Sequence, residues 1–204
     1  MASILPMDEL NRLDAEIRER FGDESLEKRD KREEEDIIDE LLDLFLLAYA
    51  TGNSVTNDNL SSNYAPSVDD VMKNDNLSSN YAPSVDDVMK VVDAEVAGKT
   101  WRKRVEEYFS NGGTGADLAR IADTEMHRIA NAAALETARR NGARTKTWVT
   151  MMDDRVRDSH DYLLGQTVDI DEDFYTWDGA HAPAPGMFGV PEEDCNCRCE
   201  CEFN

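Results

Sequence analysis

Outside one seven-residue stretch the chain has no cysteine. All four lie at Cys195, Cys197, Cys199 and Cys201, so the first 194 residues can form neither a disulfide nor a thiolate knuckle. Histidine is scarce as well, and His127, His160 and His181 are the only imidazoles. Basic charge is in short supply: 22 Lys and Arg face 44 Asp and Glu, for a formal net charge of -22. A surface of that sign repels phosphate backbones, which argues against sequence-independent DNA or RNA binding and against anionic membranes. Long apolar runs are missing. The most apolar stretch, IIDELLDLFLLAYA, is interrupted by acids and is too short to span a bilayer. The start, MASILPMDELNRLD, lacks the basic and apolar regions of a signal peptide, so no oxidising compartment and no structural disulfide is expected. No Gly-rich phosphate loop, GxSxG elbow or HExxH helix occurs.

What is present begins with helical periodicity. At 204 residues the chain can form one ordinary domain with an extension, or two small ones. MDELNRLDAEIRERFG places Leu10, Leu13, Ile17 and Phe21 at steps of three and four, which predicts a helix. A solvated charge run, SLEKRDKREEED, follows. A second amphipathic helix carries Ile37, Ile38, Leu41, Leu42, Phe45, Leu46 and Tyr49, with Gly52 expected as its stop. The segment NDNLSSNYAPSVDDVMK then occupies residues 57–73 and recurs unchanged over 74–90. Two identical copies point to a recent duplication rather than a working repeat array, and no role is assigned to them. Ser67 or Ser84 can cap a helix that starts with acids. The first copy is expected to be a loop, and the second to lead into one long helix, VDDVMKVVDAEVAGKTWRKRVEEYF. Beyond SNGGTG another helix buries Leu118, Ala122, Met126, Ile129 and Ala133 and ends at Asn141-Gly142.

The last third changes character. TKTWVTMM reads as a strand, DDRVRDSHDYLLG as a short helix or capped turn, and QTVDIDEDFYTW as a strand region. HAPAPGMFGVPEE is a loop leading to a cysteine strand. Helices followed by a compact β-containing unit predict an α+β fold, with a long helix and a small antiparallel sheet in the C-terminal unit. The expected divisions are an acidic helical region over 1–56, the tandem duplication as a linker over 57–90, and a C-terminal domain over 91–204.

Three features there can carry chemistry. In DDRVRDSH, Arg157 and His160 share a helix face and Asp153 can cap it, so His160 reads either as a metal ligand or base, or as a hydrogen-bonded member of an ion-pair network. In a strand the four cysteines would share one face, either a buried core face or part of a metal site. With no second cysteine pair in the chain, a tetrahedral centre would have to recruit His160, His181 or a carboxylate. A redox dithiol is the weakest reading, because it gains from a helix start that alternation on a strand does not offer. Glu125, among apolar neighbours in TEMHR, is expected either in water or in a buried pair with Arg157 or Arg198.

In order, RIADTEMHRIANAAALETARRNGA, KTWVTMMDDRVRDSHDYLLGQTV and NCRC resemble the phage Mu F-like family of minor head proteins, also called phage head morphogenesis proteins. The landmarks fall on Thr124 and Glu125, Trp148 and Thr150, Asp153 and Asp154, Arg157 and His160, Leu164 and Gly165, and Asn196 to Cys199. The resemblance covers about residues 91 to 203. It implies a non-enzymatic minor capsid protein of a tailed phage, found in the virion interior near the portal vertex after synthesis in the host cytoplasm. Its implied role is head morphogenesis or DNA packaging and ejection. The implied partners are the portal and other head proteins, with no direct nucleic-acid contact and no membrane.

Many members carry a Cys-x-x-Cys pair and a further histidine that together look like a four-ligand zinc site. Here Arg157 and Asp194 stand at two of those positions. The resemblance therefore implies a hydrogen-bonded cluster of Arg157, His160 and Asp153 near the cysteines. No cofactor is expected, and His160, Cys197 and Cys199 are left as the residues that could hold zinc. The alternative function is a zinc-binding effector or metal-dependent enzyme using them. Related domains occur fused to toxins, but one residue follows Phe203, so no downstream toxin domain is expected.

Overall fold

The computed structural model describes residues 31–61 and 83–204, with Arg12, Ala15 and Glu19 as isolated positions. The helix expected over MDELNRLDAEIRERFG, the first half of the charge run and most of the duplication, Ser67 included, lie outside the described residues.

Helix α1 spans Lys31–Ser61 and packs along α4, Gly115–Arg140. Its apolar stripe is buried at Ile37, Ile38, Leu41, Phe45, Leu46 and Tyr49, the face that the periodicity marks. Gly52 does not end this helix, contrary to its expected role as a stop. A Cβ at Gly52 would lie 2.1 Å from the carbonyl oxygen of Ala130 on α4, so the glycine is a point of close helix-to-helix contact. The boundary drawn at residue 56 accordingly falls inside α1. The apolar stripe of α1 forms part of the core shared with α4.

Helix α2, Val85–Val92, opens with a capping box in which Ser84 Oγ accepts from Asp87 N and the Asp87 carboxylate accepts from Ser84 N. The single long helix expected from here divides into two. After Val92 the chain turns through Ala97 at φ 52° and Gly98 at φ 74°, closed by a Val96–Lys99 bridge. Thr100 then caps α3, Trp101–Asn111. Trp101 is buried edge-on against Phe45, with ring centroids 4.9 Å apart.

Helix α4 starts with a second capping box, Thr114 with Asp117, and ends at Asn141 as expected. It is buried on nearly every side, because it belongs to two cores. One side faces α1, α2 and α3. Its C-terminal part, through Leu135 and Ala138, joins Trp148, Leu163, Phe174, Cys197, Cys199 and Cys201 in a second cluster.

That second cluster lies under an antiparallel sheet of order β2-β1-β5, formed by Thr167–Asp169, Thr145–Val149 and Glu200–Phe203. A short helix α5, Asp158–Leu163, links β1 to β2, and the hairpin of β3, Phe174–Tyr175, with β4, His181–Ala182, follows. A one-turn helix α6, Pro191–Asp194, leads into the cysteines. The architecture is α+β, with helices first and a small antiparallel sheet in the C-terminal unit.

The four cysteines do not share one strand face. Asn196 adopts φ 55°, a left-handed conformation that asparagine tolerates, and this breaks the alternation after Cys195. Cys195 ends α6 half-buried, Cys197 and Cys199 lie on an irregular segment, and only Cys201 is in β5, opposite Trp148.

Candidate functional site

Helix α4 holds the cysteine segment at two points. Asn196 N donates to Thr124 Oγ1 at 3.4 Å, and Asn131 Nδ2 donates to the Cys199 carbonyl at 3.0 Å. Thr124 and Asn131 are seven residues apart, about 10 Å along one helix face. The segment therefore runs beside two helical turns, and its cysteines are presented to what packs over them.

What packs over them is α5. Arg157 is the residue before that helix, and its guanidinium donates to the Cys195 carbonyl. His160, one turn on, is buried with Nδ1 3.6 Å from Cys197 Sγ and 3.5 Å from Cys199 Sγ. On the other side of the ring, Glu193 Oε2 lies 3.0 Å from Nε2, beside the nitrogen rather than in line with an N–H bond. The same oxygen accepts a 2.8 Å bond from Ser159, which fixes the carboxylate. Phe188 stacks on the imidazole at 5.6 Å, and Trp148 meets its edge at 5.4 Å.

The two thiols are coupled. Cys197 is held well below the usual thiol range, first by a hydrogen bond from Cys199 and then by His160, against the opposing effect of burial. Cys199 is pushed up by its bond to Cys197 and by burial. Cys201 is pushed up by burial alone as the leading cause, and behaves as a core thiol.

Two expected partnerships are different in the structure. Asp153 neither caps α5 nor reaches His160. It accepts from Arg155 N at 3.1 Å and from Arg198 at 2.7 Å, and Arg198 holds its carboxyl below the usual range. The expected cluster of Arg157, His160 and Asp153 thus divides, with Glu193 as the carboxylate nearest the histidine. Glu125 is fully buried, but its partners are Arg104 at 2.5 Å and Arg128 at 2.8 Å, not Arg157 or Arg198. Arg128 also donates to the carbonyls of Val91 and Val92, tying α4 to the end of α2. Asp194 accepts from Phe188 N and Gly189 N, fixing the loop that places the Phe188 ring, and burial raises its carboxyl above the usual range. His181 stands apart, paired with Asp173 and stacked on Tyr175.

Gly165, at φ 76°, makes the turn after α5 and donates to the Trp148 carbonyl at 2.8 Å, which brings β2 back beside β1. The sequence reading missed Glu193 and Ser159, and also Lys146, which is fully buried in β1. Its Nζ has no hydrogen-bond partner among the described residues and lies 5.5 Å above the Phe174 ring. The signal was its two-residue spacing from Trp148, which puts both on the core face.

The residues that could hold a metal are His160, Cys197 and Cys199, all buried and with donor atoms within 4.8 Å of one another. A small cleft lined by Arg155, Arg157, Asn196 and Arg198 opens onto His160 and Cys199.

Across residues 77–202, more than half of the chain, the sequence matches the family model of Phage Mu protein F like protein. The chain belongs to this family. Among its relatives is the minor head protein GP7 of Bacillus phage SPP1, 37% identical over 81 residues, which make up 38% of this chain and 26% of that protein. Another is the NAD(+)--arginine ADP-ribosyltransferase EFV of Enterococcus faecalis, 32% identical over 144 residues, 53% of this chain and 29% of that protein. The chain thus spans less than a third of the length of either relative. No solved structure matches it. No described helix is long and apolar enough to cross a membrane.

Proposed function

We propose that this Mu F-like chain is a non-enzymatic structural protein of a tailed-phage head, a minor capsid protein that associates with the portal vertex. It acts there in head morphogenesis or in DNA packaging and ejection. The observation that carries this reading is the family match over residues 77–202, joined to a relative that is by name a minor head protein. The net charge of -22 supports it, because a protein enclosed in a shell that fills with DNA must not adhere to the packaged phosphate. Its partners are then the portal and other head proteins, and its place is the virion interior. Co-expression with the portal protein of its own phage, followed by purification of the complex and mass spectrometry of virions, tests this. Co-purification and a few copies per virion are expected. Absence from both the portal complex and the virions sinks the reading.

The relative named as an arginine ADP-ribosyltransferase favours a second reading, an effector or metal-dependent enzyme built around His160 and the cysteines. Incubation with NAD+ and an arginine acceptor separates the two. No transfer is expected, and measurable transfer would displace the structural role.

A further inference from the structure

We propose that His160 Nδ1 and the sulfurs of Cys197 and Cys199 form a three-ligand site for one thiophilic divalent cation of the zinc class, its fourth position left to an exogenous ligand. Zinc takes an imidazole nitrogen at about 2.0–2.1 Å and a thiolate at about 2.3 Å, so a tetrahedron sets the nitrogen–sulfur edge at about 3.6 Å. The two edges observed here are 3.6 Å and 3.5 Å. Thiol–imidazole hydrogen bonds have similar lengths, but an imidazole nitrogen has one lone pair and can accept from one thiol at full strength. Two sulfurs converge on that one nitrogen, as they would around a shared cation.

The surroundings fit. A metal-binding histidine ordinarily presents its other nitrogen to a carboxylate, and Glu193, fixed by Ser159, lies 3.0 Å from His160 Nε2 on that side. No neighbour among the described residues completes the shell. Arg157 is a cation committed to the Cys195 carbonyl, and both carboxylate oxygens of Asp194 are taken by backbone N–H groups. The open side is the cleft with Arg155, Asn196 and Arg198. A water molecule, a small anion or a small thiol completes the coordination there.

The test uses the full chain, reduced and purified without chelator. Elemental analysis is expected to give about one zinc per chain. Replacement by cobalt should give a tetrahedral visible spectrum with a thiolate-to-cobalt charge-transfer band sized for two sulfurs. Cys197→Ser and Cys199→Ser each remove that band or halve it, Cys201→Ser leaves it intact, and Glu193→Gln weakens cobalt affinity roughly 10–100-fold. A small exogenous thiol added to the cobalt form perturbs the visible bands. Folded protein with four titratable thiols that takes up no metal overturns the site, as does a charge-transfer band unchanged in both serine variants. Because those variants can fail to fold, the sulfur count is read from the wild-type band itself, and a band for one sulfur or none also overturns it. Visible bands indifferent to added thiol sink the open fourth position.

Discussion

Gly52 on α1 packs so closely on Ala130 of α4 that an added Cβ would lie 2.1 Å from the Ala130 carbonyl oxygen. Two effects compete at this position. Helix propensity favours alanine over glycine by about 1 kcal/mol. The clash is with backbone, which cannot move aside without separating the helices, and overpacking typically costs about 1–3 kcal/mol. The clash prevails because 2.1 Å is far inside contact distance. Gly52→Ala is expected to lower stability by at least about 1 kcal/mol in urea unfolding. A stabilised variant would show that the helices do not approach this closely.

Glu125 binds both Arg104 and Arg128, and it is fully buried. Removing one member of such a network leaves buried charge without compensation, at a cost of about 3–5 kcal/mol. Glu125→Ala should therefore destabilise severely. Arg128→Met should cost less than Glu125→Ala, because Arg104 keeps Glu125 company. Equal losses, measured by chemical denaturation, would contradict the network.

The helical half of the fold was legible because its faces repeat at helical spacing, and α4 was placed to its last residue by Asn141-Gly142. What was hidden is where side chains reach across the sequence. Glu125 pairs with Arg104 and Arg128 instead of the expected Arg157 or Arg198, although Arg128 stands at i,i+3 from it within EMHR. Gly52 looked like a stop because glycine usually ends helices, whereas tertiary contact gave it another purpose. In the cysteine run, strict alternation imitated a strand, and the positive φ of Asn196 undid it. Glu193, with an acid on each side in EED, carried no mark that singled it out as the neighbour of His160.

Lys146 yields a prediction with a sign. Burial lowers the pKa of its ammonium in the folded protein below the unfolded value of about 10.4. The unfolded chain then holds the extra proton between the two values, so stability rises as pH climbs through the folded pKa toward about 10.4. Lys146→Met removes the buried charge while keeping the length of the side chain. It is expected to stabilise at neutral pH on the order of 1–4 kcal/mol. The gain should shrink as pH approaches about 10, where the wild-type amine is neutral. Thermal unfolding at neutral and alkaline pH checks both parts. A destabilised Lys146→Met at pH 7 would mean that the ammonium has a strong partner.

Asp117 responds at the other end of the pH scale. The Thr114 backbone N–H, then its hydroxyl, then Arg120 hold this carboxyl below the ordinary aspartate range. A depressed carboxylate contributes stability that is complete above the unfolded value of about 3.9 and is lost as pH falls through the folded one. Asp117 stands at the start of α4, which both cores share, so fraying there should be felt through the molecule. Asp117→Asn keeps the size of the capping side chain and removes its charge. The variant should be less stable than wild type at pH 7, and its stability should fall less steeply below about pH 4. Parallel acid limbs for variant and wild type would show that this carboxylate is not among the groups whose protonation unfolds the protein.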